Sequence, residues 1–565
     1  MIIIFLGEIN FFVLCIKQSF VFFPAFEEGV KARNNFQNKM NMLPTRLLLA
    51  SFFIGIFFLV TVFSSCTSKT DVSLSPKFPV HDIDYSGTIA EIQAQFDKEQ
   101  WESFIALCWP ADGLKPIFNG NILDNTDDRP VFENYAFNYD LFLLNLRNET
   151  TKYRPVDWGD HESLDKQRRA RWTKDCPNLI SQAEKEGITN LASIIPLDEF
   201  IQASNGAKPH VPVIDHNGKY VWSSVVFNET TFDFVNDADL FLWKGINEAK
   251  KNFVEKRVYT VDKDVITFEK KKYNQLKDDN GSMHLKTSWK IMGEGDDPSK
   301  FHTAWGAQIF NNVNFADTTT IVPQCSLVQV GLVGMHISYK TEDQQGFIWS
   351  TFEHIDNCPE RGDIEDKHYN FFDYADRKTK VNNQPPKANE NINHDPIIVA
   401  SKDTFVHPKW FNPFTDSKND ASQIVRYDSI TIPTKALNRY YQQALGNTVW
   451  ANYELVSTQW TKPETEVYYP KRLYNTTLES FDQKGSSCIG CHHQLLPNTL
   501  LVGPNKDQYF MEPDTIGNIL NLPLNLFKEG LHPDTAVYSD YMYSMLKWKE
   551  DGHLTWRQIK KGKKP

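Results

Sequence analysis

Residues 210–360 carry short apolar runs, rich in β-branched and aromatic side chains and separated by turn residues. The runs are Tyr220–Phe227, Arg257–Phe268, Leu285–Ile291, Phe301–Phe310, Leu327–Thr341 and Phe347–Ile355. This punctuation predicts an antiparallel, strand-rich domain over 210–375. On either side the period lengthens. Ile89 to Leu107 places Ile89, Ile92, Phe96, Trp101, Phe104 and Ile105 at helical spacing, with Pro110 as the stop. Asp165 to Lys174 is charged and predicts a solvated helix closed by Pro177. Thr434 to Leu445 is helical in spacing and ends at Gly446, Asn475–Gln483 predicts a short polar helix, and Ala536 to Lys549 aligns Tyr538, Tyr541, Met542, Met545 and Leu546 along one side. The polar stretch 376–396, with three prolines, marks a loop or boundary.

The N-terminal pattern is of another kind. Arg46 precedes a mostly apolar, uncharged run, Leu47 to Phe63, followed by Ser64-Ser65-Cys66-Thr67. A charged start, a long apolar run and small residues before a cysteine predict a cleaved signal peptide. The cysteine after the small residues resembles a bacterial lipobox, which implies acylation of Cys66 as the first mature residue. Phe63 departs from the aliphatic residue usual at that point, and an uncleaved anchor is the alternative, the run being at the short limit for a span. Met40 or Met42 is the natural start for such a signal. Residues 67–80, polar and without periodicity, read as a tether.

The expected order is therefore a leader and signal peptide over 1–65 and a tether over 66–80. A mixed helical region (81–209), the β-rich domain (210–375), a linker (376–396) and a mainly helical C-terminal domain (397–565) follow. The fold class is α+β.

Composition is globular, with 41% hydrophobic and 23% charged residues, and 14 Trp and 40 Phe supply large cores. The net charge of −11 argues against a nucleic-acid partner. Removing residues 1–65 takes away five basic and three acidic side chains and leaves −13, so electrostatics alone would not hold the chain on a membrane. Beyond the leader, Cys108, Cys176, Cys325 and Cys358 form two disulfides in any of three connectivities, or remain four buried thiols.

The chemistry lies in Cys488-Ile489-Gly490-Cys491-His492-His493, whose first five residues spell C-x-x-C-H. At that spacing two thiols add to the vinyl groups along one edge of a porphyrin, and the adjacent imidazole lies under the iron as the proximal ligand. A zinc site would need two more ligands, and the chain has no second C-x-x-C and no H-x-x-x-H. A thioredoxin-like dithiol would open a helix after a strand. The segment is preceded instead by Gly485-Ser486-Ser487. One haem c is thus expected, on Cys488 and Cys491 with His492 on the iron and His493 turned away. No nucleotide, zinc-protease or serine-hydrolase motif occurs.

Around this segment the chain resembles a kind of large, exported bacterial mono-haem c-type cytochrome of mostly uncharacterised function. The resembling stretches are Trp450 to Val456, Thr458-Gln459-Trp460, Asn475-Thr476-Thr477-Leu478-Glu479, Ser486 to His492, Trp101–Ala111 and Gly331–Pro359. The likeness spans about residues 95–550 and implies a single haem and an export route, but no substrate.

The C-terminal domain is then expected to be cytochrome c-like, with Asn475–Gln483 and Ala536–Lys549 as packing helices. Met511, in the loop between them, is the expected distal ligand. A hairpin of Leu327–Thr341 and Phe347–Ile355 with a five-residue loop would set Thr341 opposite Phe347. It would place His336, Ser338, Ser350 and His354 on one face, with His336 and His354 as a second candidate site.

Three functions fit. The first is a lipid-anchored cytochrome, in the periplasm or at the outer membrane, passing electrons to a redox partner protein. The second is a haem-dependent oxidoreductase with a substrate pocket in the β-rich domain. The third is a binding or sensing lipoprotein. One haem on residues 66–565 is much protein for a plain carrier, yet haem attachment is the only chemistry the residues specify.

Overall fold

The computed structural model describes residues 74–138, 161–237, 281–377 and 421–492 with short breaks, and a few strand pairs outside them. The chain divides into two compact units, Met1–Asp71 and Val72–Pro565. In the first, Ile2–Leu6, Ile9–Ile16 and Ser19–Pro24 form an antiparallel meander. The expected signal peptide and Cys66 lie outside the described residues. Among the described residues no helix is long and apolar enough to cross a membrane.

The second unit is α+β, built on one nine-stranded sheet. Its strands are β1 (Ala136–Phe137), β2 (Ile195–Leu197), β3 (Trp222–Phe227), β4 (Met283–Ile291), β5 (Thr303–Val313), β6 (Ile321–Lys340), β7 (Phe347–His354), β8 (Tyr453–Thr461) and β9 (Tyr468–Tyr469). The order is β9-β8-β7-β6-β4-β3-β1. The long β6 pairs with β5 over its first half and with β4 and β7 over its second. Only β2 beside β5 runs parallel.

Five of the six expected runs are strands here, and the sixth, Arg257–Phe268, lies outside the described residues. The expected domain boundaries do not separate these strands. β1 and β2 come from 81–209, β3 to β7 from 210–375, and β8 and β9 from 397–565. β8 continues the sheet because its apolar residues bury against β7, although it lies in a stretch expected to be mainly helical.

One face of the sheet is covered by helices α1 (Ile89–Leu107) and, later in the chain, Ile432–Leu445. α1 has the expected bounds. Thr88 and Glu91 close a capping box at its start, each side chain accepting the other's backbone N–H. Its inner side carries Phe96, Trp101 and Phe104, all fully buried. Phe104 stacks on Phe352 of β7 at 4.3 Å, and Phe96 stacks on Trp460 of β8 at 5.1 Å. Burial of aromatic area of this kind contributes roughly 2–3 kcal/mol per side chain.

The charged helix expected at Asp165–Lys174 is α2 (His161–Asp175), followed by α3 (Pro177–Lys185). It is not simply solvated, since Trp172 is fully buried and Arg168 and Arg171 nearly so. Pro177 occupies the first helical position of α3, where its missing N–H costs nothing. Between the two helices Cys176 is bonded to Cys325 of β6, while Cys108 and Cys358 are buried thiols. One disulfide and two thiols stand where two disulfides or four thiols were expected, because only one pair is brought within bonding reach. The helix Ile432–Leu445, α4 below, ends before Gly446 as expected.

A buried polar cluster fastens the β6–β7 loop to α1. His81 donates or accepts through Nδ1 with Glu99 at 2.9 Å and through Nε2 with Asp343 at 2.8 Å. Tyr339 donates to Glu99 at 2.7 Å, and Tyr85 donates to Asp343. Burial works against a charged His81 ring, but hydrogen bonds to Asp343 and Glu99 and their negative charge outweigh it and raise its pKa to about 9. A raised folded pKa means that the stabilisation is fully present below the unfolded value of 6.5 and is lost as pH rises through about 9. We expect the urea midpoint of the wild-type chain to fall across that window, by on the order of 3 kcal/mol of stability. His81→Gln should flatten this part of the profile. An equal decline in both proteins would assign the pH dependence to other groups.

Candidate haem-attachment site

The second face of the sheet is covered by residues 421–430 and 467–492, which are mostly turns. The expected helix Asn475–Gln483 is absent, because its polar side chains and backbone bond to the sheet instead. Glu353 of β7 accepts hydrogen bonds from Thr476 N at 2.7 Å and from the Thr476 hydroxyl, and it pairs with Arg426 at 2.8 Å. Both charged groups are buried. Asn475 Nδ2 donates to Thr351 Oγ1 and to the carbonyl of Phe352, and its Oδ1 accepts from Thr477 N. The segment comes so close to β6 that a Cβ on Gly334 would lie 2.5 Å from Thr477 Oγ1.

This turn chain delivers the C-x-x-C-H residues as a five-residue helix, α5 (Cys488–His492). Cys488 and Ile489 are buried, and His492 is half-buried. The start of α5 is clamped by Gln459 of β8. Its Oε1 accepts Ile489 N–H at 2.8 Å, and its Nε2 donates to Ser487 Oγ at 3.0 Å and to the carbonyl of Pro470. Ser487 Oγ in turn accepts Gly490 N–H at 3.0 Å. Gly490 leaves no room for a side chain, since a Cβ there would lie 2.9 Å from Ser487 Oγ and 3.0 Å from the Tyr468 hydroxyl.

Cys488 and His492, four apart on one helical turn, share a side of α5. The His492 ring lies against Trp349 of β7, with ring centres 4.3 Å apart. Trp349 belongs to a cross-strand row. His284 of β4 is opposite Ser338 of β6, Ser338 is opposite Trp349, and Trp349 is opposite Gln459. Cross-strand partners share a face, so α5 rests on a row of four strands. The His284 ring touches Phe347 at 4.6 Å and Trp349 at 5.3 Å. It is 6% exposed, and neither of its nitrogens has a hydrogen-bond partner. Burial, and then the charge of nearby His492, hold its pKa well below the ordinary histidine range.

His336 and His354 do not form a site together. Lys340, not Thr341, is opposite Phe347, so the loop has six residues rather than five and the register slips by one. His336 is therefore opposite Thr351, and His354, three residues further along β7, faces the other way. His336 stands 3.5 Å from Glu479 on the second face. His354 lies on the first face with both nitrogens occupied, by the carbonyl of Lys300 and by Asp356 N–H. Burial lowers its pKa to about 4, which keeps the ring neutral.

Met511, His493 and the expected helix Ala536–Lys549 lie outside the described residues, as does the side chain of Cys491. Among the described residues no group of three or more His, Cys, Asp or Glu is placed to hold a metal ion. The residues do fit a haem held at one edge. A buried cysteine and a histidine share one side of a clamped helix, over a wall of Phe347 and Trp349, with an unpartnered imidazole beside them.

Sequence reasoning missed Gln459, Glu353 and His284. Gln459 stood inside Thr458-Gln459-Trp460, already singled out by the resemblance, but only the strand register gives it a role. Gln459→Leu keeps the size and removes three hydrogen bonds. We expect a loss of about 1–3 kcal/mol, from the amide left unpaired at Ile489. Hydrogen exchange should quicken at the Ile489 amide and stay slow along β4. Unchanged exchange at Ile489 would mean that Gln459 does not hold α5.

Compared with protein-family models, curated proteins and solved structures, the chain matches none of them.

Proposed function

We propose that the chain is an exported, lipid-anchored mono-haem cytochrome of the c type that passes electrons to a partner protein. The observation that carries this reading is the presentation of C-x-x-C-H. Cys488 and His492 share one side of a helix whose start is fixed by Gln459 and whose histidine rests on Trp349. Cys488 and Cys491 would each add S–H across one vinyl group, the sulfur bonding to carbon and the hydrogen passing to the neighbouring carbon. That step needs no oxidant. Trp349 sets the plane of the His492 ring, and Gly490 lets the helix start pass beneath Tyr468. Bound in this way, the haem supplies one-electron chemistry at its iron.

The cytochrome c-like part is, in this proposal, not a domain standing apart. Its haem segment is built onto the sheet through β8 and Glu353. The Cys176–Cys325 bond supports an oxidising compartment, and the sequence Ser64-Ser65-Cys66 supports a lipid anchor there. An oxidoreductase would need a substrate pocket in the strand-rich part. Among the described residues, one cavity, between Phe200, Trp222, Ser288 and Thr477, has about 10 Å³, the room of one water.

Two measurements check the reading. Acid–acetone treatment of the chain matured with a c-type attachment system should leave the haem on the polypeptide, and Cys488→Ser should leave it on a single thioether or lose it. Haem that passes wholly into the solvent from the wild-type chain would refute covalent attachment. Mass spectrometry of the mature N-terminus should find an acylated Cys66 and no residues 1–65. An unmodified start upstream of Cys66 would refute the lipid anchor and leave the haem reading standing.

A further inference from the structure

His216 and His368 are brought together from separate parts of the chain, and neither belongs to the C-x-x-C-H segment. His216 stands in a tight turn. Asp215 N–H donates to the carbonyl of Lys219, and Asp215 Oδ1 accepts the N–H groups of Asn217 and Lys219, each at 2.9 Å. Gly218 closes the turn at φ 72°, in the left-handed region that favours glycine. His368 stands in the loop after β7, between two anchored residues. Lys367 pairs with Asp356 at 3.0 Å, and Asn370 N–H donates to the Asp356 carbonyl at 2.7 Å.

The ring centres of His216 and His368 are 5.6 Å apart, with their planes at 66°. Zinc–imidazole bonds of about 2 Å put each ring centre about 3 Å from the ion and, at the tetrahedral angle, the two centres about 5 Å from each other. A small turn of the exposed His368 side chain meets that distance. The His216 ring is hydrogen-bonded to the backbone of Phe372, and its Nε2 is buried without a partner. One nitrogen on a backbone carbonyl and the other left bare is how a metal-ligating histidine is held. Burial, and then the charge of His368, lower the His216 pKa, so protons compete little for the bare nitrogen. The negative charge of Asp373 also acts on this ring and favours a cation there. The opposing charge of Lys290 is met by Asp296 and Asp215. His284 and His336 have unpartnered nitrogens too, but at 6% and 5% exposure they are closed to an ion from solvent. His216 is half-buried beside an exposed neighbour.

We propose that His216 Nε2 and the His368 ring form a site for a divalent ion of the zinc type, with water in the remaining positions. Imidazole suits zinc, copper and nickel over magnesium or calcium. Among the described residues no third His, Cys, Asp or Glu joins the pair, so binding is weaker than at a four-ligand structural site. A bound ion ties the exposed loop 360–368 to the turn at 215–219. The site is independent of haem attachment, and either can fail without the other.

The test is equilibrium dialysis of the full chain against micromolar zinc chloride, with the bound metal counted per chain. His368→Ala removes an exposed side chain, and His216→Asn keeps a donor for the Phe372 carbonyl while removing Nε2. Each should bind one zinc fewer than wild type. The double variant should lose the same single ion, because both residues serve one site. Zinc held at C-x-x-C-H is common to all four chains and cancels. A zinc count equal to wild type in His368→Ala overturns the site, and so does a double variant that loses two ions, which would mean two separate histidines. Hydrogen exchange in the 215–219 turn keeps the test open if His216→Asn does not fold. Zinc should slow it in wild type and leave it unchanged in His368→Ala. The same response in both chains overturns the shared site.

Discussion

Glu353 is a carboxylate with no exposure to solvent, and the placement of residues 421–492 depends on it. A buried charge must be paired and hydrogen-bonded or it is prohibitively costly. Glu353 meets this demand with Arg426 from one segment and with the backbone and hydroxyl of Thr476 from another. Arg426 is held in turn by the backbone of Pro359 and Arg361. Removing one member of such a pair costs about 3–5 kcal/mol, a large share of the 5–15 kcal/mol that usually holds a domain together. The chain therefore cannot leave β7 at Thr476. Asn475 adds two bonds to the same strand, and the short path from there to Cys488 carries the constraint to α5.

Periodicity made α1, α4 and the five described strand runs legible, because each is long enough for its apolar residues to repeat and each buries one side. β8 was not legible. Its nine residues lie between a helix and the C-x-x-C-H segment, and only pairing with β7 distinguishes them from a loop with aromatics. The segment Asn475–Gln483 failed for the opposite reason. Its spacing suits a helix, but Asn475, Thr476 and Thr477 find better partners on the sheet, and local propensity gives way to tertiary bonds. The hairpin shows how little error is needed. One extra loop residue carried His354 to the other face and dissolved the expected pair with His336. Cysteine count could not choose a connectivity, since Cys176 and Cys325 meet only because α2 and α3 turn against β6.

The two faces of the sheet solve burial differently. The first is an aromatic core in which Trp101 stacks on Tyr441 and donates to Asn438, and Asn438 also bonds both backbone groups of Leu455. Its buried polar side chains Asp97, Glu99, Gln100 and Asn438 are hydrogen-bonded within it. The second face has a smaller apolar patch around Val333, Phe371, Phe372, Ile424 and Val425, and otherwise relies on side-chain hydrogen bonds to the backbone. Such bonds are directional, so this face fixes positions more sharply than apolar packing would. That is the property the proposed haem attachment would need. Two thioethers and an iron–nitrogen bond tolerate small errors only.

On the proposed reading, the size of the chain relative to one haem has a physical reason. Haem potential responds to burial and to hydrogen bonding around the ligands. A small cytochrome wraps its haem in a few helices, whereas here the wall beneath α5 is a row of four strands, tied to the rest of the sheet by its ladders. An unbonded imidazole buried in an aromatic wall costs about 1–3 kcal/mol, and His284 carries that cost in the row of strands on which α5 rests.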